Sequence, residues 1–163
     1  HTSGHANHHF VVHDPSLDTV FTGDAFGLVY PALQATGSFA LASTSPVGFD
    51  AAEARRSLEL ITSLGTPTAH PTHFGEVTGL AEIAAQVRAW IDRAEAWVDA
   101  AARSGDDIAT LTKRLADTWR GAIAADVAAR DLRFSAAAWD LLALDIELNA
   151  QGLAVVAARM SGR

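Results

Sequence analysis

The apolar residues in the second half of the chain recur at the spacing of an α-helix. Side chains three and four positions apart lie on one face of a helix, so this pattern predicts amphipathic helices that each bury one stripe. From Leu80 onward the whole chain follows the pattern, and we predict it to be all helical. The apolar stripes cover residues 80–101, 108–127 and 139–156.

Polar residues that favour helix starts separate these stripes. We predict Ser104 or Asp106 as the N-cap of the second helix and Ser135 as the N-cap of the third, because their side chains can accept hydrogen bonds from the first free N–H groups. The tryptophans in the stripes are interpreted as core or interface residues, not as a cofactor site.

The first part of the chain has shorter apolar runs, which are typical of strands. Residues 10–12 predict a buried strand and residues 19–22 a second strand, with turn residues Asp14, Pro15 and Ser16 between them. We expect the resulting hairpin to bring His5 and Asp24 to the same rim.

One further helix and one strand are predicted before Leu80. Asp50 and Glu53 approximate a capping box, apolar residues follow at helical spacing, and Gly65 suits the position after the helix. Residues 66–69 then predict a short strand that ends in a loop at residues 70–73.

Residues 25–48 show little periodicity and are punctuated by glycine and proline, so we predict a long loop. Such loops often carry function, and aromatic residues in this one are candidates for lining a substrate pocket. The alternative is that they cover the apolar surface of the domain. The candidate substrate-binding residues are Phe26, Tyr30 and, near the later loop, Phe74.

Composition limits the classes of function. With 163 residues, 49% of them hydrophobic and 19% charged, the chain is globular and long enough to form a core. A net charge of −7 and a pI near 5.3 argue against binding to nucleic acid. The sequence contains no run of about 18 apolar residues, so it predicts no membrane span. There is no cysteine, which excludes disulfides and favours a cytoplasmic location.

Three residues stand out as candidate metal ligands. His5, Asp24 and His73 each lie beside a glycine or proline that can shape a tight turn. Imidazole and carboxylate ligands suit zinc, iron or manganese. We predict that the three residues form one divided metal site.

The order of these motifs resembles the C-terminal half of a metallo-β-lactamase-fold hydrolase of the glyoxalase II kind. Residues 2–5, Thr-Ser-Gly-His, are similar to that family's Thr-Pro-Gly-His motif, residues 21–24 to its Gly-Asp motif, and residues 71–73 to its last histidine motif. The resemblance implies that His5 binds a first metal, that His73 binds a second, and that Asp24 bridges both and is the catalytic residue. The cofactors implied are two divalent transition metals, with zinc expected and iron or manganese as alternatives.

The resemblance also implies a fold and a domain organisation. The family's upstream His-x-His-x-Asp-His motif does not occur in this chain. We therefore expect the C-terminal portion of a longer protein: half of an αββα sandwich in residues 1–103, followed by an all-helical extension in residues 104–163. Loss of the other half should leave an apolar face exposed around Phe10, Val12 and Phe21.

The implied function is a metal-dependent hydrolase of small molecules, in which water attacks an ester, thioester, lactone or amide. The enzyme would be active if the missing N-terminal half is supplied, and this chain would contribute part of a dinuclear site. The alternative is a catalytically inactive fragment that acts as a structural, oligomerising half. The expected partners are a copy of the chain or the missing half, with no nucleic acid and no membrane.

Overall fold

The computed structural model of the chain describes residues 1–44, 48–72 and 75–162. Helices dominate these residues and account for 57% of them. The elements in chain order are β1 (Val12–Asp14), β2 (Thr19–Gly23), α1 (Ala51–Ser63), β3 (Thr68–Pro71), α2 (Leu80–Ala102), α3 (Ile108–Ala129) and α4 (Ala136–Met160), with short 3-10 helices at Asp24–Phe26 and Pro31–Leu33.

This architecture overturns the prediction of half an αββα sandwich. The described residues contain one three-stranded sheet and four α-helices, and the fold is mainly helical. The strands are only three to five residues long. A sandwich needs two sheets packed face to face, and the strand-forming runs of this chain suffice for one small sheet. Short apolar runs predicted a strand near each observed one, although β1 begins only at the last residue of its predicted range. Such runs do not determine how many layers the fold has.

The sheet has the order β1-β2-β3, with β1 antiparallel and β3 parallel to β2. The predicted hairpin is thus confirmed. Val20 and Ala69 pair across β2 and β3 on the buried face. On the opposite face Val12 pairs with Phe21, and the Phe21 ring stacks on His70 at a centroid distance of 4.9 Å.

The outer face of the sheet carries apolar side chains that are largely exposed. Phe10 is 63% exposed, Val12 49% and Phe21 43%. The interpretation of residues 10–12 as a buried strand is therefore wrong. The expectation that an apolar face remains open at these three residues agrees with the observed exposure.

The described chain divides into two compact units. The first comprises residues 1–43 and 48–93, and the second comprises residue 44 and residues 94–162, so the division falls within α2. All three strands, α1 and the start of α2 belong to the first unit, whereas α3, α4 and the end of α2 belong to the second. The predicted domain boundary at residues 103/104 stays a prediction.

Helix α1 begins where the sequence predicted. The Asp50 carboxylate accepts a hydrogen bond from the N–H of Glu53 at 2.9 Å, which satisfies one of the first free donors of the helix. Leu58 and Ile61 form its buried face, with 2% and 0% exposure. Gly65, at φ +69°, follows the helix end.

Hydrogen bonds from side-chain amides, rather than regular strand pairing, hold the predicted long loop in position. The amide of Gln34 donates to the carbonyls of Tyr30 and Phe39, and its oxygen accepts from the N–H of Phe39 at 2.8 Å. The oxygen of Gln86 on α2 accepts from the N–H of Ala40 at 2.9 Å. Residues 30–40 of the predicted loop are therefore a hydrogen-bonded part of the first unit.

In the second unit, α3 and α4 pack along most of their length. The predicted α3 stripe is buried through Leu111, Leu115, Trp119, Ile123 and Val127. Its N-cap is Asp107, which accepts from the N–H of Thr110 at 2.7 Å, so the prediction of Ser104 or Asp106 is wrong. All three are polar residues in one short segment, and only the backbone path selects among them. Ser135 caps α4 as predicted.

Helix α4 is long and apolar enough to cross a membrane, with a mean hydropathy of 1.5 over its best window. This departs from the sequence-based expectation, because alanine and leucine together raise the hydropathy without forming an uninterrupted apolar run. Of that window, 56% is buried within the protein. A core helix of a folded unit has the same composition, so the finding does not by itself indicate a membrane.

Candidate functional site

The turn that carries His5 is held against the start of α1. Gly4 adopts φ +117°, and a Cβ placed there would lie 2.2 Å from the backbone nitrogen of Ala54. Beside it, the Ser57 hydroxyl donates to the carbonyl of Ser3 at 2.6 Å. Glycine is required at this position because both the positive φ and the close backbone approach exclude a side chain. His5 is thereby fixed relative to the helix.

Asp24 follows directly after β2. Gly23 turns the chain with φ +52°, and Asp24 begins the 3-10 helix Asp24–Phe26. The backbone N–H of Asp24 donates to Nε2 of His9 at 3.2 Å. Phe26, two residues further, is fully buried and anchors the short helix in the core of the first unit. The carboxylate of Asp24 therefore projects from a backbone that is held on both sides.

His5 and Asp24, which the sequence places 19 positions apart (24 − 5), meet in the fold. Nε2 of His5 lies 3.4 Å from Oδ2 of Asp24, and the two side chains are 14% and 24% exposed. The other ring nitrogen of His5, Nδ1, lies 3.1 Å from the hydroxyl of Ser43. This contact with Ser43 orients the ring so that Nε2 faces the carboxylate.

His9 contributes both ring nitrogens to hydrogen bonds. Since the N–H of Asp24 can only donate, Nε2 of His9 is an acceptor, and its Nδ1 carries the hydrogen that is donated to the hydroxyl of Thr2 at 2.8 Å. Burial lowers the pKa of His9, with His5 adding to that effect and Asp24 opposing it. His9 is thus neutral, and no ring nitrogen remains to bind a metal.

A small cavity of about 10 Å³ lies beside the pair. It is lined by His5, Asp24, Ser43 and Ser57, together with apolar side chains such as Val87. A cavity needs roughly this volume to hold a single water molecule. The space next to the two side chains therefore suits an ion or a water, and it is too small for an organic group.

Two kinds of chemistry use this set of atoms. The first is nucleophilic catalysis, because the contacts run from Ser43 through His5 to Asp24. This is the order of a serine nucleophile, its base and an orienting acid. In that arrangement the carboxylate accepts a charge-assisted hydrogen bond of roughly 2.7–2.9 Å from the imidazole. The observed 3.4 Å is too long for it. Two ligands of a tetrahedral zinc ion, each at about 2.05 Å, lie roughly 3.4 Å apart, so the distance matches a shared metal.

The structure places the predicted site residues as follows. His5 and Asp24 come together, while His73 and Phe74 lie outside the described residues. Within residues 1–44, 48–72 and 75–162 no group of three or more His, Cys, Asp or Glu residues is arranged to hold a metal. Phe26 is buried in the core, in keeping with the packing alternative, and Tyr30 is half-buried.

Sequence reasoning missed two residues of the site. Ser43 approaches His5 from the far end of the long loop, and no local pattern marks it. Thr2 was part of a motif, but its contact with His9 was not anticipated. In the structure the backbone N–H of Thr2 also donates to the carbonyl of His9 at 3.0 Å and closes the turn.

Comparison of the chain with protein-family models, with curated proteins and with solved structures gives no match. The resemblance to metallo-β-lactamase-fold hydrolases therefore stays a prediction that depends on the three motifs, and the function is argued below from the geometry of the site.

Proposed function

We propose that His5 and Asp24 are two protein ligands of one divalent transition metal in a hydrolytic site. The observation that carries this proposal is the 3.4 Å separation of His5 Nε2 and Asp24 Oδ2. It matches the distance between two ligand atoms of a tetrahedral zinc ion and exceeds that of a good hydrogen bond. The predicted dinuclear centre, with His73 as a further ligand, stays a prediction.

The surroundings of His5 support a ligand role. Histidines that bind metals usually hold their other ring nitrogen in a hydrogen bond, which fixes the tautomer and the ring plane. Ser43 supplies this partner for Nδ1. Low exposure of both side chains and a cavity the size of one water keep competing solvent away from the donor atoms.

A bound divalent metal would supply a Lewis acid that lowers the pKa of a water and polarises a substrate carbonyl. The chain's own residues then have defined tasks. His5 would offer Nε2 to the metal, and the Asp24 carboxylate would offer Oδ2 at the wall of the cavity. Ester, thioester, lactone and amide carbonyls all fit this chemistry, and no described residue selects among them.

The metal-binding part is tested by elemental mass spectrometry after incubation with zinc, iron or manganese and removal of unbound metal. We expect about one metal per chain. His5→Ala and Asp24→Asn should lose it, whereas His13→Ala should keep it because His13 is exposed on β1, away from the pair. A wild type without metal, or full metal content in both site variants, would overturn the proposal.

The hydrolytic part is tested separately with chromogenic ester, thioester, lactone and amide substrates. Metal-loaded wild type should hydrolyse at least one of them, and a chelator should abolish the reaction. If no substrate is hydrolysed by protein with confirmed metal content, the metal site stands and the hydrolase assignment fails.

The alternative function, that of a structural half that associates with a copy of itself, is favoured by a different observation. Leu141, Leu144 and Leu148 on α4 are 38%, 66% and 36% exposed. Their spacing of three and four residues, with a seven-residue repeat, is that of a seam between two helices. A second copy of α4 is the occupant that this proposal names, since an identical helix presents the same repeat.

Multi-angle light scattering across a range of concentrations tests this alternative. Wild type should form a dimer, and the combined change of the three leucines to glutamine should give a monomer with unchanged helical circular dichroism. A wild type that stays monomeric at the highest concentration would exclude self-association through this seam.

A further inference from the structure

We propose that His9 is a positioning residue that holds the two metal ligands, His5 and Asp24, in register with each other. This inference rests on the proposed metal site. His9 itself binds no metal, because hydrogen bonds occupy both of its ring nitrogens. It acts through the backbone of Asp24 and through the turn that contains His5.

The contact with Asp24 replaces a missing helix cap. The first N–H groups of a helix have no partner inside it, and a side chain usually accepts a hydrogen bond from one of them. At the 3-10 helix Asp24–Phe26 the residue in the N-cap position is Gly23, which has no side chain to do so. Nε2 of His9 accepts from the N–H of Asp24 instead.

Gly23 leaves room for this approach. A Cβ at Gly23 would lie 2.3 Å from Nε2 of His9, well inside van der Waals contact. The imidazole therefore occupies the space that any other residue at position 23 would need. The pairing of a glycine with this histidine makes the backbone of Asp24 accessible to an imidazole acceptor.

The same histidine belongs to the turn that carries His5. Its backbone N–H donates to the carbonyl of Ala6 at 3.1 Å, and its carbonyl accepts from the N–H of Thr2 at 3.0 Å. The Thr2 side chain, which is 1% exposed, fixes Nδ1. The rings of His5 and His9 also meet edge to face at a centroid distance of 5.8 Å.

His9 thus connects the two halves of the pair. One side of the residue closes the turn around His5, and its ring holds the first residue of the segment that presents Asp24. A small displacement of either ligand changes the 3.4 Å separation on which metal binding depends. Residues that orient metal ligands typically affect metal affinity by about 10- to 100-fold.

Three substitutions of His9 separate the effect of losing its hydrogen bonds from the effect of losing side-chain volume. In His9→Gln the side-chain oxygen can reach the position of Nε2 and accept from Asp24. In His9→Asn the shorter amide can contact Thr2 but cannot reach Asp24. His9→Ala removes both contacts. His8→Ala is the matched control, because His8 is the adjacent histidine and is exposed.

The measurement is zinc affinity by competition with a chromophoric chelator, together with the visible spectrum of the cobalt(II)-substituted protein. We expect His9→Ala and His9→Asn to lose about 10-fold or more in affinity and His9→Gln to recover most of it. The cobalt spectrum should keep the intensity of the wild type in His9→Gln, because the ligand set is unchanged.

The outcomes are distinguishable. If wild type binds zinc and His9→Ala binds it equally well, the positioning role alone fails. If His9→Gln is as weak as His9→Ala and changes the cobalt spectrum, His9 is a ligand and the inference is overturned. If neither wild type nor His8→Ala binds metal, both the metal site and this inference fall. Should His9→Ala not fold, Thr2→Val, which frees Nδ1, must weaken zinc binding in the same direction.

Discussion

Gly4 and Gly23 determine which side chains can meet at the candidate site. Each has a positive φ, and a Cβ at either position would overlap another group, the backbone of Ala54 in one case and the ring of His9 in the other. The sequence identified both glycines as turn residues beside candidate ligands. It did not reveal the neighbouring groups, because those contacts join segments that are distant in the chain or separated by a turn.

At the residue scale, Gly23→Ala tests whether the close approach of His9 to residue 23 governs the site. The variant adds both the cost of φ +52° for a side chain and a clash with His9, so we expect metal affinity to fall by about 10-fold or more. Gly65→Ala is the control, because Gly65 has φ +69° but nothing lies within 4 Å of its Cβ.

Both variants should lose roughly 1 kcal/mol of unfolding free energy from backbone strain alone, as measured by urea unfolding. Only Gly23→Ala should also lose zinc in the competition assay. Equal zinc affinity in the two variants would show that contact between residue 23 and His9 does not govern the site.

The second unit shows how an element buries one face and exposes another. Helix α4 carries leucines of both kinds, with Leu142 fully buried and Leu144 66% exposed. Periodicity predicted the buried face of α3 correctly, apart from Ile108, which is 47% exposed at the first position of the helix. In α4 the apolar residues surround much more of the helix, so the pattern alone could not separate buried from exposed leucines.

The pair Leu142→Ala and Leu144→Ala tests this at the scale of the element. Loss of a buried leucine removes its packing and leaves a cavity, so Leu142→Ala should lower the unfolding free energy by about 2–5 kcal/mol. Leu144→Ala should change it by less than about 0.5 kcal/mol, because the side chain is mostly in solvent. Urea unfolding followed by circular dichroism measures both, and similar losses in the two variants would contradict the assigned faces of α4.

The cap of α3 gives a pH dependence. Hydrogen bonds from Thr110 to the Asp107 carboxylate lower the pKa of Asp107 from its usual value of 3.8. The charged form is therefore favoured in the folded state. Its stabilising contribution is complete above pH 3.8 and is lost as the pH falls through the folded-state pKa.

Asp107→Asn keeps a capping oxygen that does not titrate. Between about pH 5 and pH 2, wild type should lose more thermal stability than this variant, because only wild type must protonate the cap. Thermal unfolding at several pH values measures the difference. Parallel curves for the two proteins would show that the cap does not contribute to acid unfolding.

At the scale of the whole molecule, the small sheet buries one face and exposes the other. Three short strands bury Val20 and Ala69 on one face and leave Phe10, Val12 and Phe21 open on the other. Large apolar side chains that are exposed together often mark a contact site. The described elements form two units, and the candidate site lies wholly within the first.

Metal binding should therefore appear as a change in the stability of the folded protein. At a zinc concentration 100 times the dissociation constant, binding to the folded state adds about 2.7 kcal/mol to the unfolding free energy. For a chain of this size this raises the unfolding temperature by roughly 5–10 °C. Differential scanning calorimetry with and without zinc should show the shift in wild type and not in Asp24→Asn, and an equal shift in both would assign the zinc to another site.

The sequence by itself determined the local elements. Helix starts at Asp50 and Ser135, the hairpin of β1 and β2, and the three long helices all follow from side-chain chemistry acting over a few residues. Glycines beside His5 and Asp24 marked both residues, together with His73, as candidate ligands, but it was the order of the motifs that combined the three into one predicted site. What was predicted correctly depends on interactions between residues that are close in the chain.

The tertiary structure alone decided the rest. The number of sheet layers, the exposure of Phe10 and the approach of Ser43 to His5 depend on which distant segments pack together, and many arrangements share the same local pattern. The distance between His5 and Asp24 belongs to this class as well. Sequence order brought the two residues into one hypothesis, but only the packing of the His5 turn against α1, and of His9 against Gly23, sets their separation at 3.4 Å.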